Sequence, residues 1–358
     1  MKIANSLHTG QIYGYRNGDI GISGKCGVMD SSNLWAALAS AATLFDEPRL
    51  EVGLSSQIRV SSVPNHGTLG DRTANLAGAF AVIAGSEPYP AELLEGLPQL
   101  CLIARSGVGF DQIDLDAAAR LGIHVTTTPG ANAQGVAEHV VTLLLYLTHR
   151  VSYYDARVRN GQWRDENFFS EVQGMTVGII GFGHIGRAIA ALLHAFGARI
   201  IAFDVAPIVD VPSYVTMASS IEEMLPQCQA ISLHTPLMDS TRGLIGGDEL
   251  ALLPRGAYIV NAARGGIIDE VALESALRSG QIAGAVLDVL AQEPPRTDHP
   301  LLVFDTCVFS PHSASLGAHT IERMTRMIAT QLNLVAEGVT PAGLINSPVV
   351  PRFPLMVR

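Results

Sequence analysis

A glycine-rich segment in the second half of the chain has the residue types and spacing that hold a phosphate group. It reads Gly181-Phe182-Gly183-His184-Ile185-Gly186, and it directly follows the apolar run 176–180 and precedes a helical pattern. Gly181 allows a tight turn, Gly183 lets a pyrophosphate approach the backbone, and Gly186 lets the helix pack closely on the strand. The first amides of that helix would donate to the phosphates. The segment therefore predicts a dinucleotide site.

A carboxylate follows this loop at the place where a ribose would bind. The next apolar strand ends in Asp204, about 20 residues after the loop. A carboxylate there accepts hydrogen bonds from ribose hydroxyls and repels a 2'-phosphate, so the pattern favours NAD over NADP. The alternative interpretations are that the glycines serve only the loop and its packing, and that Asp204 is a solvated acid at a strand end. The strand, loop, helix and carboxylate are in register, which favours the cofactor site.

The elements around this loop alternate between strands and helices. Apolar runs predict strands at 79–84, 102–105 and 123–126, and then near Thr176, Arg199, Ala230, Tyr258, Ala283 and Cys307. Helical patterns stand between most of them, for example at 90–97 and 115–121. Such alternation predicts an α/β fold with two doubly wound parallel sheets.

A long apolar helix is predicted between the two series, over residues 133–149. Ala137, Val140, Val141, Leu144 and Leu145 lie on one face at helical spacing, and further leucines lie on other sides. We expect such a helix to be covered by more than one neighbour, and it suggests a subunit interface and a homodimer. Near the end of the chain, 321–337 predicts an amphipathic helix that returns to the first domain.

The pattern before residue 64 is weak. Its one clear local signal is Asn17-Gly18 between two short apolar runs, which predicts a hairpin turn without indicating a function.

Length and composition limit the class of protein. The chain has 358 residues, which favours two domains, and 48% of them are hydrophobic while 16% are charged, which indicates extensive burial. The formal net charge is -10 and no basic run is present, so a nucleic acid partner is not expected.

Cysteine usage and hydropathy point to the cytoplasm. The four cysteines show no paired spacing, which predicts neither disulfides nor a metal site. The first residues turn polar too early for a signal peptide, and no apolar stretch is long enough to span a membrane. We therefore expect a cytoplasmic protein without a membrane partner.

Several motifs, in order along the chain, coincide with one family. They are Arg105-Ser106-Gly107-Val108-Gly109-Phe110-Asp111, Pro129-Gly130-Ala131-Asn132 with Val136-Ala137-Glu138-His139, the glycine loop, His234-Thr235-Pro236-Leu237 with Thr241, Asn261-Ala262-Ala263-Arg264-Gly265-Gly266, Leu287-Asp288-Val289 with Glu293-Pro294, and Pro311-His312. Together they resemble the D-isomer-specific 2-hydroxyacid dehydrogenases over about residues 79–350.

The resemblance implies a fold and a place for the active site. A Rossmann NAD domain, residues 132–317, would be inserted into a flavodoxin-like substrate domain formed by 1–131 and 318–358. The active site would be the cleft between them, where an NAD-dependent enzyme interconverts a small D-2-hydroxy acid and its 2-keto acid by hydride transfer.

The resemblance also implies three catalytic residues. Arg264 would clamp the substrate carboxylate, His312 would be the general acid and base, and Glu293 would be its partner. The chemistry agrees, because histidine exchanges protons near neutral pH, a neighbouring carboxylate favours imidazolium, and the planar fork of arginine binds a carboxylate through two hydrogen bonds. Taken singly, a salt bridge, a surface acid and a turn residue would explain these positions equally well.

Further residues would bind the substrate and the cofactor. Substrate contacts are expected from Arg105, which could equally form a salt bridge, and from the backbone of Val108 and Gly109. Cofactor contacts are expected from Gly181, Gly183, His184, Ile185, Gly186, Asp204, Thr235, Pro236, Thr241, Ala262, Ala263, Arg264, Asp288, His312 and Ser315. Asp288 would hold the nicotinamide carboxamide, whereas His139, His184 and His234 have no evident catalytic task.

Departures from the family pattern narrow the interpretation. Glu293 stands where formate dehydrogenases have glutamine, which disfavours formate oxidation. The first sixty or so residues resemble the family poorly, so the identity of the acid stays open. Two alternatives stay open as well: an NAD(H)-binding regulatory or scaffold protein on the same fold, and oxidation of an inorganic anion such as phosphite.

Overall fold

Two parallel sheets with flanking helices make up the fold. The computed structural model describes residues 34–38, 53–64, 66–348 and 350–356. The predicted hairpin around Asn17-Gly18 lies outside these residues.

The strands are short and the helices vary in length. The strands are β1 Leu34–Leu38, β2 Ile58–Ser62, β3 Ala81–Ala84, β4 Leu102–Arg105, β5 His124–Thr126, β6 Thr176–Ile180, β7 Arg199–Phe203, β8 Val215–Met217, β9 Ala230–Leu233, β10 Ala257–Asn261, β11 Ile282–Leu287 and β12 Cys307–Phe309. The α-helices are α1 Leu69–Leu76, α2 Ala91–Glu95, α3 Leu115–Arg120, α4 Ala133–Thr148, α5 Val151–Arg159, α6 His184–Ala195, α7 Ile221–Met224, α8 Gly247–Leu252, α9 Glu270–Arg278 and α10 Ala318–Ala336. Two 3-10 turns, Leu225–Gln227 and Pro300–Val303, complete the described elements.

The first sheet has the strand order β2-β1-β3-β4-β5, with every described pair parallel. This is the flavodoxin-like strand order, in which β2 lies on one side of β1 and the later strands follow on its other side. β3, in the middle of this sheet, is buried along its whole length. The predicted flavodoxin-like sheet is confirmed.

The second sheet has the order β12-β11-β10-β9-β6-β7-β8, again parallel. Its strand order reverses between β6 and β9, which is the arrangement of a Rossmann sheet. Val177 and Ile179 of β6 pack into one apolar cluster, whereas Ile180 packs into the cluster on the opposite face. The expected α/β fold with two doubly wound parallel sheets is therefore confirmed.

Two chain segments connect the sheets, and they contact each other. The first segment runs from β5 of the first sheet into α4. The second runs from β12 of the second sheet into α10, which packs on β2 and β4 of the first sheet. Nε of Arg323 in α10 donates to the carbonyl of Ala131 at 2.8 Å. A Cβ on Gly135 would lie 2.3 Å from Oγ1 of Thr320, so glycine allows the two helices to cross closely.

Some elements carry no clear sequence signal. β1 and β2 come from the region where the pattern is weak, and α5 follows directly on α4 in a stretch that reads as polar. The apolar breadth of α4 has an explanation within the chain, because this helix packs against α6, β11 and α10. In the described part of the chain, no helix is both long and apolar enough to cross a membrane.

Candidate active site

Residues predicted to do chemistry lie where strands of the second sheet end. Gly181 follows β6, Asp204 follows β7, Thr235 comes soon after β9, Ala262 follows β10 and Asp288 follows β11. In a parallel sheet these carboxyl ends share one edge, and ligands bind there, next to the point where strand order reverses. The sequence pattern and the topology thus indicate the same edge.

The glycine loop has the geometry that its composition predicts. Gly181 has a φ of 93°, and a Cβ there would lie 2.6 Å from the carbonyl oxygen of His234. A Cβ on Gly186 would lie 2.2 Å from the carbonyl oxygen of Gly181. A Cβ on Gly183, by contrast, would meet no protein atom within 4 Å, so this glycine leaves room for an external group before the first turn of α6.

Asp204 holds the same loop from the neighbouring strand. Its Oδ2 accepts a hydrogen bond from the backbone N–H of Phe182 at 2.8 Å, and Oδ1 accepts one from Ala206 at 2.9 Å. Each carboxylate oxygen retains a lone pair for a second donor. The carboxylate is therefore fixed beside the loop and still able to accept a ribose hydroxyl.

A cavity of about 340 Å³ lies at the edge of the second sheet and reaches the loop after β4. Among the predicted site residues, Val108, Gly109, Ile185, Thr235, Pro236, Ala262, Ala263, Arg264, Asp288, His312 and Ser315 line it. A second, polar cavity shares some of these walls and is lined by two further predicted residues, Arg105 and Glu293.

The remaining predicted residues lie outside both cavities. Gly181, Gly183, His184 and Gly186 lie in the turn between β6 and α6, and Asp204 lies beside it. Thr241 shapes a loop instead: its hydroxyl donates to the carbonyl of Pro236 at 2.6 Å and accepts from the N–H of Met238 at 2.8 Å.

Arg264 is held against the loop that follows β4. Its Nε donates to Oδ1 of Asp111 at 2.9 Å, and Nη1 donates to the carbonyl of Ala263 at 2.7 Å. Burial alone would raise the pKa of Asp111, but the Arg264 guanidinium and its hydrogen bond hold that pKa below the ordinary value. Arg264 therefore presents its charge beside the backbone of Val108 and Gly109.

His312 and Glu293 form a hydrogen-bonded pair. His312 Nδ1 lies 2.8 Å from Oε2 of Glu293, which leaves Nε2 as the ring nitrogen available to a substrate. Burial alone would raise the pKa of Glu293, but the hydrogen bond and charge of His312 hold it below the ordinary value. The second oxygen of Glu293 accepts from the N–H of Leu290 at 3.1 Å, which fixes the carboxylate.

The loop that carries His312 is anchored on one buried carboxylate, Asp288. Its Oδ1 accepts from the Ser310 hydroxyl at 2.5 Å and from the N–H of Ser313 at 2.9 Å, and its Oδ2 accepts from the N–H of Ala314 at 3.1 Å. The backbone carbonyl of Asp288 accepts from the N–H of His312 at 2.8 Å. These bonds hold His312 at a φ of 51°, a conformation that residues other than glycine rarely adopt.

His139 of α4 extends this anchor. Its Nε2 lies 2.9 Å from the Ser310 hydroxyl and 3.6 Å from the Asp288 carboxylate. Because the Ser310 hydroxyl donates its proton to Asp288, its oxygen is left to accept from His139. Sequence reasoning found no task for His139, since only the fold brings α4 next to the loop after β12.

We call the cavity of about 340 Å³ the cofactor cavity. Three polar atoms in its wall have no hydrogen-bond partner within the described part of the chain: Oδ1 of Asn132, Nδ1 of His234 and Oγ1 of Thr235. Burial lowers the pKa of His234 to about 3, so its ring is neutral, and its Nε2 lies 2.7 Å from the Ser232 hydroxyl. Buried polar atoms are rarely left unpaired in native proteins, so these atoms indicate a polar ligand. The residues present therefore fit NAD, because its carboxamide and ribose hydroxyls can form hydrogen bonds with such atoms.

Sequence reasoning assigned no role to several residues that line the two cavities. They are Ser86, Phe110, Asp111, Gln112, Asn132, Val136, His234, Leu237, Met238, Gly265, Leu290, Ala291 and Ala314. Asp111 and Asn132 belong to motifs that carry the family resemblance, and their polar side chains close to a glycine were the available signal. Phe110, Val136 and Leu237 belong to those motifs as well, but only the fold brings these apolar side chains to the cavity.

Comparison with known proteins agrees with this geometry. Residues 141–314 match the family model described as D-isomer specific 2-hydroxyacid dehydrogenase, NAD binding domain. The glyoxylate reductase of Thermofilum pendens is 38% identical over 277 residues, which cover 75% of this chain and 82% of that protein. The D-3-phosphoglycerate dehydrogenase of Rattus norvegicus is 37% identical over 273 residues, which cover 74% of this chain but 50% of that longer protein.

The fold has the same relatives. The crystal structure of a glyoxylate reductase from Paecilomyes thermophila superposes with a TM-score of 0.79 at 28% identity, covering 87% of this chain and 98% of that one. The similarity therefore extends over both parallel sheets.

Proposed function

The chain belongs to the D-isomer-specific 2-hydroxyacid dehydrogenase family and is an NAD-dependent enzyme of that family, and on this premise we propose the roles of its residues. It interconverts a small D-2-hydroxy acid and its 2-keto acid, with Arg264 as the carboxylate clamp and His312 as the acid and base. One observation carries this proposal. Arg264, the His312–Glu293 pair and the backbone of Val108 and Gly109 line two adjoining cavities that share Arg264 and His312. Glyoxylate is the first substrate to test, because two of the similar proteins are glyoxylate reductases.

Substrate binding starts from charge. Arg264 supplies a planar guanidinium that donates to the substrate carboxylate, and the amides of Val108 and Gly109 donate from the facing loop. Asp111 keeps the guanidinium on this loop through the 2.9 Å bond to Nε, and Nη1 donates to the carbonyl of Ala263, which leaves Nη2 for the substrate. The substrate is thereby oriented with its C2 carbonyl toward His312.

Proton transfer falls to His312. In the reduction, Nε2 gives its proton to the oxygen on C2 as charge develops there, and in the oxidation it takes that proton back. Glu293 stabilises the imidazolium form and fixes the ring through Nδ1 at 2.8 Å. When bound, the nicotinamide supplies or accepts the hydride at C2.

Cofactor binding would use the loop after β6 and the cavity wall. The N-terminal amides of α6 and the open space at Gly183 suit the pyrophosphate, and Asp204 suits a ribose. Asp288 Oδ2 accepts one hydrogen bond in this structure and has capacity for the carboxamide N–H. The other predicted cofactor contacts are proposed on the same basis: His184, Ile185, Thr235, Pro236, Thr241, Ala262, Ala263, Arg264, His312 and Ser315.

The domain boundaries are likewise a proposal. The first sheet lies within residues 34–126 and the second within 176–309, and α10 packs back on the first sheet. This arrangement supports a substrate domain of 1–131 with 318–358 and an NAD domain of 132–317.

A homodimer is proposed on a surface next to α4. α5 and the segment after it expose apolar side chains: Val158 is 55% exposed, Trp163 74% and Phe168 93%. Exposed apolar surface of this extent favours burial against a second copy. Light scattering of the purified protein should give a dimer mass, which Phe168→Asp should lower, and a monomeric wild-type mass would contradict the proposal.

The test of the function is NADH oxidation with a panel of keto acids: glyoxylate, hydroxypyruvate, pyruvate, phenylpyruvate and 3-phosphohydroxypyruvate. We expect turnover with at least one of them and a loss of at least about 100-fold in kcat/KM for Arg264→Ala. Full activity of that variant would overturn the assigned role. A wild type that binds NADH but reduces no panel member would favour the regulatory alternative, and a parallel assay with phosphite and NAD would expose oxidation of an inorganic anion.

A further inference from the structure

The segment that carries Glu293 has few attachments to the rest of the chain. Residues 291–299, here the Glu293 loop, lie between β11 and the 3-10 turn Pro300–Val303, and most of their side chains are exposed. The side chain of Glu293 is itself 38% exposed, so burial does not hold it in place. Within the described residues, three hydrogen bonds join this loop to parts of the chain remote in sequence. Glu293 forms one of them with His312, and the carboxylate of Glu270 accepts the other two.

Glu270, the first residue of α9, bonds to both ends of the Glu293 loop. Its Oε1 accepts from the N–H of Ala291 at 2.7 Å, and its Oε2 lies 3.1 Å from Nε2 of His299. Nδ1 of His299 accepts from the N–H of Leu301 at 3.3 Å, so the ring proton lies on Nε2, which donates to Glu270. The side chains of Glu270 and His299 are only 19% and 15% exposed, so these bonds are shielded from most of the solvent. One carboxylate thus closes the loop.

The helix that begins at Glu270 is capped by a different residue. Oδ1 of Asp269 accepts from the N–H of Val271 at 2.9 Å and from the N–H of Ala272 at 3.1 Å. Both described hydrogen bonds of the Glu270 side chain go to the Glu293 loop instead. A carboxylate in the first turn of a helix interacts favourably with the helix dipole, but this effect does not require it to face the loop. The orientation of Glu270 is therefore explained by the loop.

The start of the Glu293 loop also lies under close backbone packing. A Cβ on Gly265 would lie 2.0 Å from the carbonyl oxygen of Leu290, so the two backbones are in direct contact. The N–H of Leu290 donates to Oε1 of Glu293 at 3.1 Å. A shift at Ala291 would therefore move the Glu293 carboxylate and, through the 2.8 Å bond, the ring of His312.

We propose that Glu270 is a positioning residue for the reaction and that His299 is its partner. Together they fix the Glu293 loop so that the Glu293 carboxylate meets Nδ1 of His312. Neither Glu270 nor His299 lines the cofactor cavity or the polar cavity beside it, so both act through Glu293. The inference rests on the proposed function, because it assumes that Glu293 assists His312 in proton transfer. Loss of the pair should lower kcat and leave KM and NADH affinity unchanged.

A double-mutant cycle on kcat at pH 8, with the best keto acid of the panel, tests this role. Glu270→Ala removes both bonds, and we expect kcat to fall at least about fivefold while the Kd for NADH stays within about twofold of the wild type. In the Glu293→Gln background the same substitution should lower kcat less than about twofold, because residues that act through one group are not additive. The same fold-loss in both backgrounds would show a merely structural role and overturn the proposal.

Variants that remove one bond at a time refine the cycle. Glu270→Gln keeps an oxygen for the N–H of Ala291 but turns a donor toward His299, so its kcat should lie between those of the wild type and Glu270→Ala. His299→Asn keeps an acceptor that can cap the 3-10 turn but is too short to reach Glu270, and its kcat should match that of Glu270→Gln within about twofold. Glu274→Ala is the matched control, because it removes a carboxylate of the same helix that pairs within α9. It should leave kcat unchanged.

Hydrogen exchange of residues 288–300, followed by mass spectrometry, gives a readout that does not depend on turnover. Glu270→Ala should speed exchange in this segment at least about fivefold, and Glu274→Ala should not. Unchanged exchange or full kcat in Glu270→Ala overturns the positioning role while the proposed function stands. Full kcat in Glu293→Gln, or a wild type that reduces no keto acid, removes the role of Glu293 and the positioning role with it. If Glu270→Ala does not fold, as judged by thermal unfolding and NADH binding, His299→Asn takes its place in the cycle.

Discussion

Nη2 of Arg264 lies 1.4 Å from the point where a Cβ of Gly109 would stand, so the arginine and the glycine occupy complementary parts of one space. Asp111, two residues after this glycine, holds Nε of the same guanidinium at 2.9 Å. The arginine comes from the end of β10 and the glycine from the loop after β4, so each sheet supplies one side of the contact. The position of the carboxylate clamp therefore depends on the absence of a side chain at residue 109.

Gly109→Ala should displace the guanidinium by about the width of a methyl group. A misplacement of this size can cost about 100-fold in rate, and we expect a loss of that order in kcat/KM for the keto acid. Steady-state NADH oxidation measures it, with NADH affinity as a check on the fold. Gly247→Ala is the matched control, because a Cβ at the start of α8 meets no atom within 4 Å. Equal activities of the two variants would contradict the contact.

Glu293→Gln should make turnover more sensitive to alkaline pH. The variant retains an amide oxygen near His312 Nδ1 but loses the negative charge that stabilises imidazolium. We expect keto acid reduction to fall about tenfold at pH 8 and about threefold or less at pH 6, where the imidazolium forms more readily. A pH profile of kcat from 5.5 to 9 tests this. A loss that is the same at every pH would show that Glu293 acts only by holding the ring.

Asp288 should contribute stability that disappears in acid. Burial alone would raise its pKa, but hydrogen bonds from His139, Ser310 and the amides of Ser313 and Ala314 lower it below the ordinary 3.8. Because the pKa is depressed in the folded state, the contribution is complete above the ordinary value and is lost as pH falls through the folded one. We expect Asp288→Asn to reduce the free energy of unfolding by about 1–3 kcal/mol at pH 7.

Urea unfolding at pH 7, 5 and 3.5 measures the contribution of Asp288. The difference between wild type and Asp288→Asn should begin to shrink at pH 3.5, because the carboxylate of the unfolded chain protonates below about 3.8 whereas that of the folded chain stays ionised to lower pH. Asp298→Asn provides the control, because this carboxylate is exposed and pairs only with Arg296 in the described structure. A difference that persists undiminished at pH 3.5 would contradict the linkage.

Local sequence signals predicted the elements whose formation depends on residues close by in the chain. The glycine loop and Asp204 could be located because strand, turn and helix follow one another there. The ion pair of Arg264 with Asp111 could not, because it joins residues 153 positions apart in different sheets. The contact of His139 with Ser310 is equally remote in sequence. β1 and β2 were missed because their flanking residues carry no regular alternation. Pairing within the sheet stabilises them, since β1 lies between β3 and β2.

Asp204→Asn should weaken the preference for NADH. The amide retains an oxygen for the N–H of Phe182 or of Ala206, so the loop should keep its shape, but the charge that repels a 2'-phosphate is lost. We expect kcat/KM with NADH to fall about tenfold and the ratio of NADPH to NADH activity to rise at least about tenfold. The exposed Asp305 serves as the control, since Asp305→Asn removes the same charge at a distance from the loop. If the ratio stays the same in Asp204→Asn while NADH binding weakens, the carboxylate acts through the loop geometry alone and some other group selects the cofactor.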